Sequence, residues 1–365
     1  MTTSSTIATA RERELLEAAR GGDENAYRRL VEPLRAELQA YCYRMLGSSH
    51  DAEDALQDAL LRAWRGLPRF EGRSTLRSWL YTIATNTCLN VIRRRPVRVL
   101  PLDHGPAFGP EDGLGMPLVE SLWVEPYPAD QLGLDEGLGA PDAHYELRES
   151  VELAFVAALQ HLPPNQRAAL IMREVLGFSA REVAQSLETT VASVNSALQR
   201  ARKTVDDGLP HESQQATLRA LGDERVRKVV ESYMTAMERG DVEAVVALLA
   251  EDAAWSMPPL AAWYRGHEAL RGFLTRGPLS GDWRWRHLPA SVNGQPAVAA
   301  YSWDEAAGTH LPFALDVMTL AGDRIREITA FITRTLDLDD FSRWPEEALD
   351  GALAFERFGL PGRVE

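Results

Sequence analysis

The segment from Phe70 to Arg95 places aromatic residues, asparagines and arginines within one helix length, FEGRSTLRSWLYTIATNTCLNVIRRR. Apolar residues recur at steps of three and four, which predicts a helix with one buried face. The buried stripe is predicted to hold Leu76, Leu80, Ile83, Thr87 and Val91. A second stripe holds Trp79, Thr82, Asn86, Asn90 and Arg93. Aromatic rings stack on unpaired bases, asparagine binds base edges and arginine binds phosphates, so this stripe predicts contact with opened DNA. The alternative is a core helix with a solvated basic end.

A second amphipathic helix is predicted directly upstream, in HDAEDALQDALLRAW from His50 to Trp64. Its apolar face holds Ala52, Leu56, Leu60 and Trp64. Its opposite face holds Glu53, Asp54, Gln57 and Asp58. Such an acidic face suits a basic partner surface, although acidic helix faces are often only solvated.

A helix-turn-helix is predicted from Leu162 to Lys203. Pro163-Pro164 can open its first helix, because an N-terminal proline gives up a donor that would be unpaired anyway. Ser179 and Glu182 form the capping box S-x-x-E that starts the next short helix.

The turn is predicted at Glu188-Thr189, and Thr190 is predicted to cap a final helix. The apolar stripe of that helix is predicted as Val191, Val194, Leu198, Ala201 and Val205. Small and hydrogen-bonding groups near its start and cations near its end suit a reader of the DNA major groove. A purely structural helical hairpin is the alternative.

These helices carry a resemblance to a known family. HDAEDALQDALLRAW followed by FEGRSTLRSWLYTIATNTCLNVIRRR resembles region 2 of an extracytoplasmic-function sigma factor of the sigma-70 family. The helix-turn-helix resembles region 4 of that family, except that Glu188-Thr189 stands where many relatives have a glycine. The resemblance implies that residues 11–95 bind core RNA polymerase and melt the minus-ten promoter element. It implies that residues 142–209 read the minus-thirty-five element.

The resemblance also assigns residue roles. Contacts with core polymerase are expected from Asp51, Glu53, Asp54, Gln57 and Asp58. Contacts with the minus-ten element, with Asn86 capturing a flipped base, are expected from Arg73, Ser74, Trp79, Tyr81, Asn86, Asn90, Arg93 and Arg94. Contacts with the minus-thirty-five element are expected from Ser179, Thr190, Ser193, Asn195, Ser196, Gln199, Arg200, Arg202 and Lys203.

Composition limits the alternatives. The 365 residues should form two or three domains, and a formal net charge of −14 argues against a protein that grips DNA unaided. Cys42 and Cys88 offer neither a metal site nor a disulfide framework, so both are expected to be buried thiols. No apolar run is long enough to span a membrane and no secretion signal begins the chain, which predicts a cytoplasmic location. No metal or cofactor is expected.

Residues 96–141 change character and are predicted to be an acidic linker rich in glycine and proline. The linker contains one apolar island, residues 118–128, with Trp123 and Tyr127. An exposed tryptophan and tyrosine among prolines predict a docking contact, here a regulatory one, and an ordinary flexible linker is the alternative.

Residues 223–336 are predicted to form an α+β domain in which two helices precede a curved antiparallel sheet with a hairpin turn at Asn293-Gly294. The phrases GDVEAVVALLAEDAAWSMPP and GDRIREITAF resemble the SnoaL-like fold, which implies a cone with an apolar pocket. The expected pocket residues are Trp255, Met257, Trp263, Tyr264, His267, Trp303, Asp316 and Phe331. Asp316 lies mid-strand and could face either way.

Residues 337–365 form an acidic tail whose FSRW and FERFGLP aromatics predict a strap packed against an earlier domain. The fold class is therefore multidomain, with two helical domains and a SnoaL-like cone. The function predicted is a sigma factor whose C-terminal domain regulates it in cis and is not an enzyme, because no acid-base pair is identifiable. A stand-alone helix-turn-helix regulator that senses a small molecule is the alternative, but it leaves residues 51–95 unexplained. A pocket enzyme with a helical appendage leaves both helical blocks unexplained.

Overall fold

The structure is a computed structural model that describes residues 10–114, 123–128, 149–208, 212–333 and 351–365. These residues form two compact units. The first holds residues 10–97 and 158–208, and the second holds 98–128, 149–157 and the described residues from 212 onward. The predicted fold class is confirmed, with helices in the first unit and a six-stranded sheet in the second.

The helices before residue 209 are, in chain order, α1 Ala10–Arg20, α2 Glu24–Leu46, α3 Ser49–Gly66, α4 Leu76–Ile92, α5 Pro101–His104, α6 Leu153–Gln160, α7 Pro164–Leu170, α8 Ala180–Ser186 and α9 Val191–Gly208. Side-chain caps fix where α3 and α4 begin. Ser48 Oγ accepts the N–H of Asp51 at 3.0 Å, and Thr75 Oγ1 accepts the N–H of Ser78 at 3.1 Å. These bonds satisfy donors that the first turn of a helix leaves unpaired.

The helix-turn-helix forms through the predicted caps. Ser179 N donates to Glu182 Oε2 at 2.8 Å and Glu182 N donates to Ser179 Oγ at 3.3 Å, which confirms the capping box. Thr190 Oγ1 accepts the N–H of Ser193 at 3.1 Å and caps α9. The prediction for Val191 was wrong, because its side chain is 43% exposed in the first turn of α9, whereas the other four stripe residues are buried.

The turn between α8 and α9 keeps its geometry without the glycine that many relatives have there. Glu188 follows α8 with a φ of +50°, the left-handed conformation that glycine usually supplies. Thr189 N donates to Ala184 O at 2.9 Å, so the helix end is closed by a backbone bond. Glu188 therefore keeps the turn geometry, but a residue with a Cβ atom adopts a disfavoured backbone conformation there.

The second unit is a mixed sheet covered by helices. Its helices are α10 Gln214–Leu221, α11 Asp223–Arg239, α12 Val242–Leu248, α13 Gly266–Arg276 and α14 Gly351–Glu356. Its strands are β1 Leu249–Ser256, β2 Trp263–Arg265, β3 Trp285–Val292, β4 Gln295–Asp304, β5 Thr309–Ala321 and β6 Arg324–Ile332. The strand order is β2-β1-β6-β5-β4-β3.

The predicted sheet is corrected in one respect and confirmed in another. β1 pairs with β6 in parallel, so the sheet is mixed and not wholly antiparallel. Asn293 and Gly294 have φ values of +55° and +68°, and they form the predicted two-residue hairpin turn between β3 and β4. The main core of this unit lies between the sheet and helices α11 to α13.

Cys42 and Cys88 are both free and buried, as predicted. A hydrogen bond with Cys42, together with burial, raises the pKa of the Cys88 thiol. The Cys88 thiol is therefore a poor nucleophile at neutral pH.

Replacing Glu188 with glycine is expected to stabilise the chain by up to about 1 kcal/mol. The left-handed conformation then carries no side-chain penalty, and part of that gain is offset by the entropy of glycine in the unfolded chain. Chemical denaturation of the full chain measures the shift. Glu188→Ala is the matched control, because alanine keeps the Cβ atom; equal midpoints for the two variants would contradict the explanation.

Candidate functional site

The acidic face of α3 lies where the sequence placed it, with one correction. Glu53, Asp54, Gln57 and Asp58 are all exposed. Asp51 is only 3% exposed and forms an ion pair with Arg95. Its carboxylate is therefore engaged within the unit and is not presented with the other acids.

The stripe on α4 is exposed toward its C-terminal end. Six of the predicted minus-ten contacts have exposed side chains, namely Arg73, Ser74, Asn86, Asn90, Arg93 and Arg94. Trp79 is half-buried and packs against Phe70, with ring centroids 4.8 Å apart. Tyr81 is fully buried against Tyr41, so the structure does not present it to a base.

The N-terminal half of α4 contacts α8 of the helix-turn-helix. Ser78 Oγ donates to Glu182 Oε1 at 3.2 Å, and the hydroxyls of Thr82 and Ser186 are hydrogen-bonded at 2.7 Å. Hydrogen bonds from Ser179 and Ser78 and the charge of Arg77 lower the pKa of Glu182 despite its partial burial. Sequence reasoning missed this contact, because the paired residues lie far apart in the chain and no local pattern marks them.

The recognition face of α9 is open. The nine predicted minus-thirty-five contacts are all exposed: Ser179, Thr190, Ser193, Asn195, Ser196, Gln199, Arg200, Arg202 and Lys203. Arg202 is paired with Glu174 at 2.6 Å, which orients one cation at the end of this face. The arrangement suits a helix whose first turns read base edges while its last turns bind phosphates.

The described part of the predicted linker island packs within the second unit, against the sheet domain. Trp123 Nε1 donates to Pro259 O at 3.0 Å, and Tyr127 is fully buried. The turn residue Asn293 holds Tyr127 by two bonds: Asn293 Oδ1 accepts the N–H of Tyr127 at 2.8 Å, and Asn293 N donates to Tyr127 O at 2.9 Å. Residues 118–122 of the island lie outside the described residues.

The same asparagine binds a second part of the chain. Asn293 Nδ2 donates to Val151 O at 2.6 Å, and Gln295 Oε1 accepts the N–H of Leu153 at 2.9 Å. Val151 and Leu153 lie just before the helix-turn-helix in the sequence. One turn therefore holds segments on both sides of residues 129–148, and we call residues 127, 151 and 293 the linker clamp.

Glu152 ties the clamp region to α10. Its carboxylate accepts the N–H groups of Gln214 and Gln215 at 3.2 and 2.8 Å. Burial raises the pKa of Glu152 to about 7, even though these hydrogen bonds favour the charged form. The backbone donors at the start of α10 therefore satisfy this buried carboxylate.

Another part of the linker extends the sheet at β2. Phe108 N donates to Trp263 O at 2.8 Å, and Trp263 Nε1 donates to Gly105 O at 2.9 Å. Tyr264 OH donates to Asp112 O at 3.2 Å. The polar groups of Trp263 and Tyr264, two of the predicted pocket residues, are therefore hydrogen-bonded to the linker.

The helix-covered face of the sheet carries a buried polar group. Tyr233 OH, from α11, donates to Asp316 Oδ2 at 2.7 Å. Burial raises the pKa of Asp316 to about 6, although the Tyr233 hydrogen bond and the charge of His287 oppose that shift. Within the described residues, Trp255 Nε1 and His287 Nε2 are buried without a hydrogen-bond partner, whereas His287 Nδ1 lies 3.7 Å from Glu238 Oε1.

Two predicted pocket residues lie on the other face. Phe331 pairs with Leu315, one position before Asp316, and side chains alternate along a strand. Trp303 packs against His310, whose backbone exchanges two hydrogen bonds with Val364 of the tail. The tail thus straps the outer face, as predicted from FERFGLP, whereas FSRW lies outside the described residues.

The two remaining pocket residues differ. Met257 belongs to the core cluster beneath the helices. His267 is half-buried, and its Nε2 lies 3.3 Å from Leu249 O. No group of acidic, histidine and cysteine side chains among the described residues could hold a metal ion. No described helix has the length and apolar character needed to cross a membrane.

Comparisons with known proteins agree with these elements. Three family models match: Sigma-70 region 2 at residues 30–96, Sigma-70 region 4 at 152–205, and the SnoaL-like domain at 230–328. The chain thus has the parts of a sigma factor followed by a SnoaL-like domain.

One similar protein is the ECF RNA polymerase sigma factor SigG of Mycobacterium tuberculosis, 39% identical over 343 residues, covering 94% of this chain and 85% of that protein. The RNA polymerase sigma-H factor of Pseudomonas aeruginosa is 29% identical over 198 residues, covering 54% of this chain and 93% of that protein. The chain therefore belongs to the extracytoplasmic-function sigma factor family.

A solved structure shares the fold. The crystal structure of the extracytoplasmic function sigma factor SigJ of Mycobacterium tuberculosis has a TM-score of 0.50 at 22% identity, covering 82% of this chain and 94% of that chain. At this identity the likeness extends to the fold alone.

The buried carboxyl of Asp316 predicts a pH dependence. An aspartate in an unfolded chain titrates near about 3.9, whereas Asp316 titrates at about 6 in the folded chain. The folded state therefore holds this proton more tightly, and the stabilisation that this proton provides is lost as the pH rises from about 4 through about 6.

Asp316→Asn, which keeps the shape without a charge, is expected to gain stability relative to the natural chain across that window. Thermal unfolding at a series of pH values measures the difference. Asp323→Asn is the control, because Asp323 is exposed. A constant difference between the Asp316 variant and the natural chain at every pH would refute the prediction.

Proposed function

We propose that this sigma factor binds core RNA polymerase through the exposed acids of α3 and opens promoter DNA with the C-terminal half of α4. The observation that carries this assignment is the exposure of Glu53, Asp54 and Asp58 on one helix and of Asn86 and Asn90 on the next. Charge complementarity favours a basic surface on the polymerase. The exposed amides are free of the core and suit base edges.

We further propose that the C-terminal domain regulates the chain in cis through the linker clamp and has no catalytic role. Asn293 binds Tyr127 and Val151, which lie on either side of residues 129–148. Because both segments are bonded to the same residue, Tyr127 and Val151 cannot move apart while the clamp is closed. A sigma factor must place its two DNA-binding parts on elements about 25 base pairs apart, or about 85 Å at 3.4 Å per pair. Docking therefore opposes promoter engagement, and the C-terminal domain acts as an inhibitor.

Two variants test the separate roles proposed for α3 in core binding and for α4 in promoter opening. Asn86→Ala is expected to leave core affinity unchanged and to abolish promoter opening, because only the base contact is lost. Asp54→Arg is expected to lose core affinity, because a cation then faces the basic partner surface. Core binding is measured by fluorescence anisotropy and opening by permanganate reactivity of thymines. If both variants lose the same step, the assignment is refuted.

The clamp is tested by Asn293→Gly, which keeps the positive φ of the turn but deletes the side-chain bonds to Tyr127 and Val151. Promoter opening by the holoenzyme is expected to rise severalfold, because the linker is released. Trp123→Phe removes the bond to Pro259 and is expected to act in the same direction. Ala307→Gly, in the exposed turn between β4 and β5, is the control.

Core affinity must be equal for all four proteins, so that a change in opening reports the linker. Unchanged or reduced opening by both clamp variants would overturn the proposed inhibition.

A second candidate function is small-molecule binding next to Asp316. Its support is the buried indole N–H of Trp255, which lacks a partner within the described residues. This donor lies beside the Tyr233 ring, with ring centroids 6.1 Å apart, which suits an uncharged aromatic molecule carrying an oxygen acceptor. Titration with 2-naphthol tests the site by chemical-shift changes of the Trp255 indole N–H, assigned with Trp255→Phe. No shift at saturating probe would reject it.

A further inference from the structure

A cavity of about 240 Å³ lies between α3 and the C-terminal end of α4. Its lining residues are Asp58, Arg62, Thr87, Asn90, Val91, Arg94 and Arg95. At about 30 Å³ per water molecule in the liquid, the space equals roughly eight waters. It can therefore admit a compact polar group larger than a single ion.

The charge of the lining selects an anion. Three arginines and one aspartate give the lining a net charge of +2, on a chain whose formal net charge is −14. Arg62 pairs with Asp58 at 3.3 Å, and both side chains are at least half exposed, so this bond is readily exchanged. Arg95 is held by the buried Asp51. Arg94 makes no ion pair within the part of the chain that the structure describes.

The position of the cavity identifies the kind of anion. Asn90 belongs both to the lining and to the exposed stripe of α4. Asn86 lies four residues earlier, about 6 Å along the helix axis. A strand with one base at Asn86 would therefore have a neighbouring phosphate within reach of Asn90 and the arginines.

We propose that this cavity binds a phosphodiester of the opened promoter strand, with Arg62 on α3 as a DNA contact in addition to those on α4. Guanidinium groups match phosphate oxygens in a bidentate fork, and the exposed Asn90 amide adds a neutral donor. The proposal rests on the proposed role of α4 in promoter opening. It extends the DNA-binding surface to α3, whose acids we assign to the polymerase.

The test uses the full chain bound to core polymerase and a promoter fragment with a single-stranded minus-ten element. Arg62→Ala is expected to bind this fragment more weakly whatever its sequence, because a phosphate contact carries no base information. The slope of log affinity against log salt should fall by about 0.7, the value for one contact on a single strand. Arg62→Lys keeps the charge and should retain the slope. Arg65→Ala is the control, because Arg65 is exposed on α3 outside the cavity.

The outcomes are separable. If the natural chain with core polymerase fails to open promoters, the proposed function itself fails. If the natural chain opens promoters but Arg62→Ala keeps the natural salt slope, the cavity proposal is overturned. A loss of core affinity in Arg62→Ala with an unchanged DNA salt slope would assign Arg62 to a carboxylate of the polymerase and would likewise overturn it.

Discussion

A buried guanidinium organises the first unit. Arg167 of α7 is 3% exposed and donates to the backbone oxygen of Met45, near the end of α2, and to those of Gln160 and Leu162. Burial lowers the pKa of Arg167 to about 10, so the group remains charged at neutral pH. A cation at a helix C-terminus satisfies carbonyls that have no partner within the helix. The helix-turn-helix is thus attached to the end of α2.

The contact between α4 and α8 depends on this attachment of the helix-turn-helix. The hydroxyl and carboxylate bonds of Ser78 and Thr82 are individually weak, since each replaces a bond to water. They persist because Arg167 and the aromatic contact between Tyr81 and Phe178, with centroids 5.1 Å apart, already hold the helices together. Separating α4 from the helix-turn-helix would therefore break these polar bonds and would also expose the buried rings of Tyr81 and Phe178.

Local chemistry was readable from the sequence, whereas long-range pairing was not. The Ser179 capping box and the Asn293-Gly294 turn are set by residues within a few positions of each other, and both were predicted. The face of Phe331 depends on its pairing with Leu315 of a neighbouring strand, and the face of Trp303 lies beyond an irregularity in the β4–β5 pairing after Ala300. The parallel pairing of β1 with β6 joins distant strands, and no local signal announces it. The docking of Trp123 was anticipated from its apolar surroundings, but its acceptor on Pro259 lies too far along the chain to be inferred.

The asparagine-glycine pair of the hairpin has a chemical consequence beyond its shape. In a flexible chain, the backbone amide nitrogen of a glycine readily attacks the side-chain amide carbon of the preceding asparagine and expels ammonia. Water then opens the resulting succinimide to aspartate or isoaspartate. Here the side chain of Asn293 is fully buried, and both of its ends are hydrogen-bonded. Ageing at this position would put a carboxylate oxygen where an N–H group now faces the carbonyl of Val151, so two acceptors would repel each other. Deamidation of Asn293 would therefore break its hydrogen bond to Val151 and release that segment of the chain. The burial of the Asn293 side chain slows this reaction.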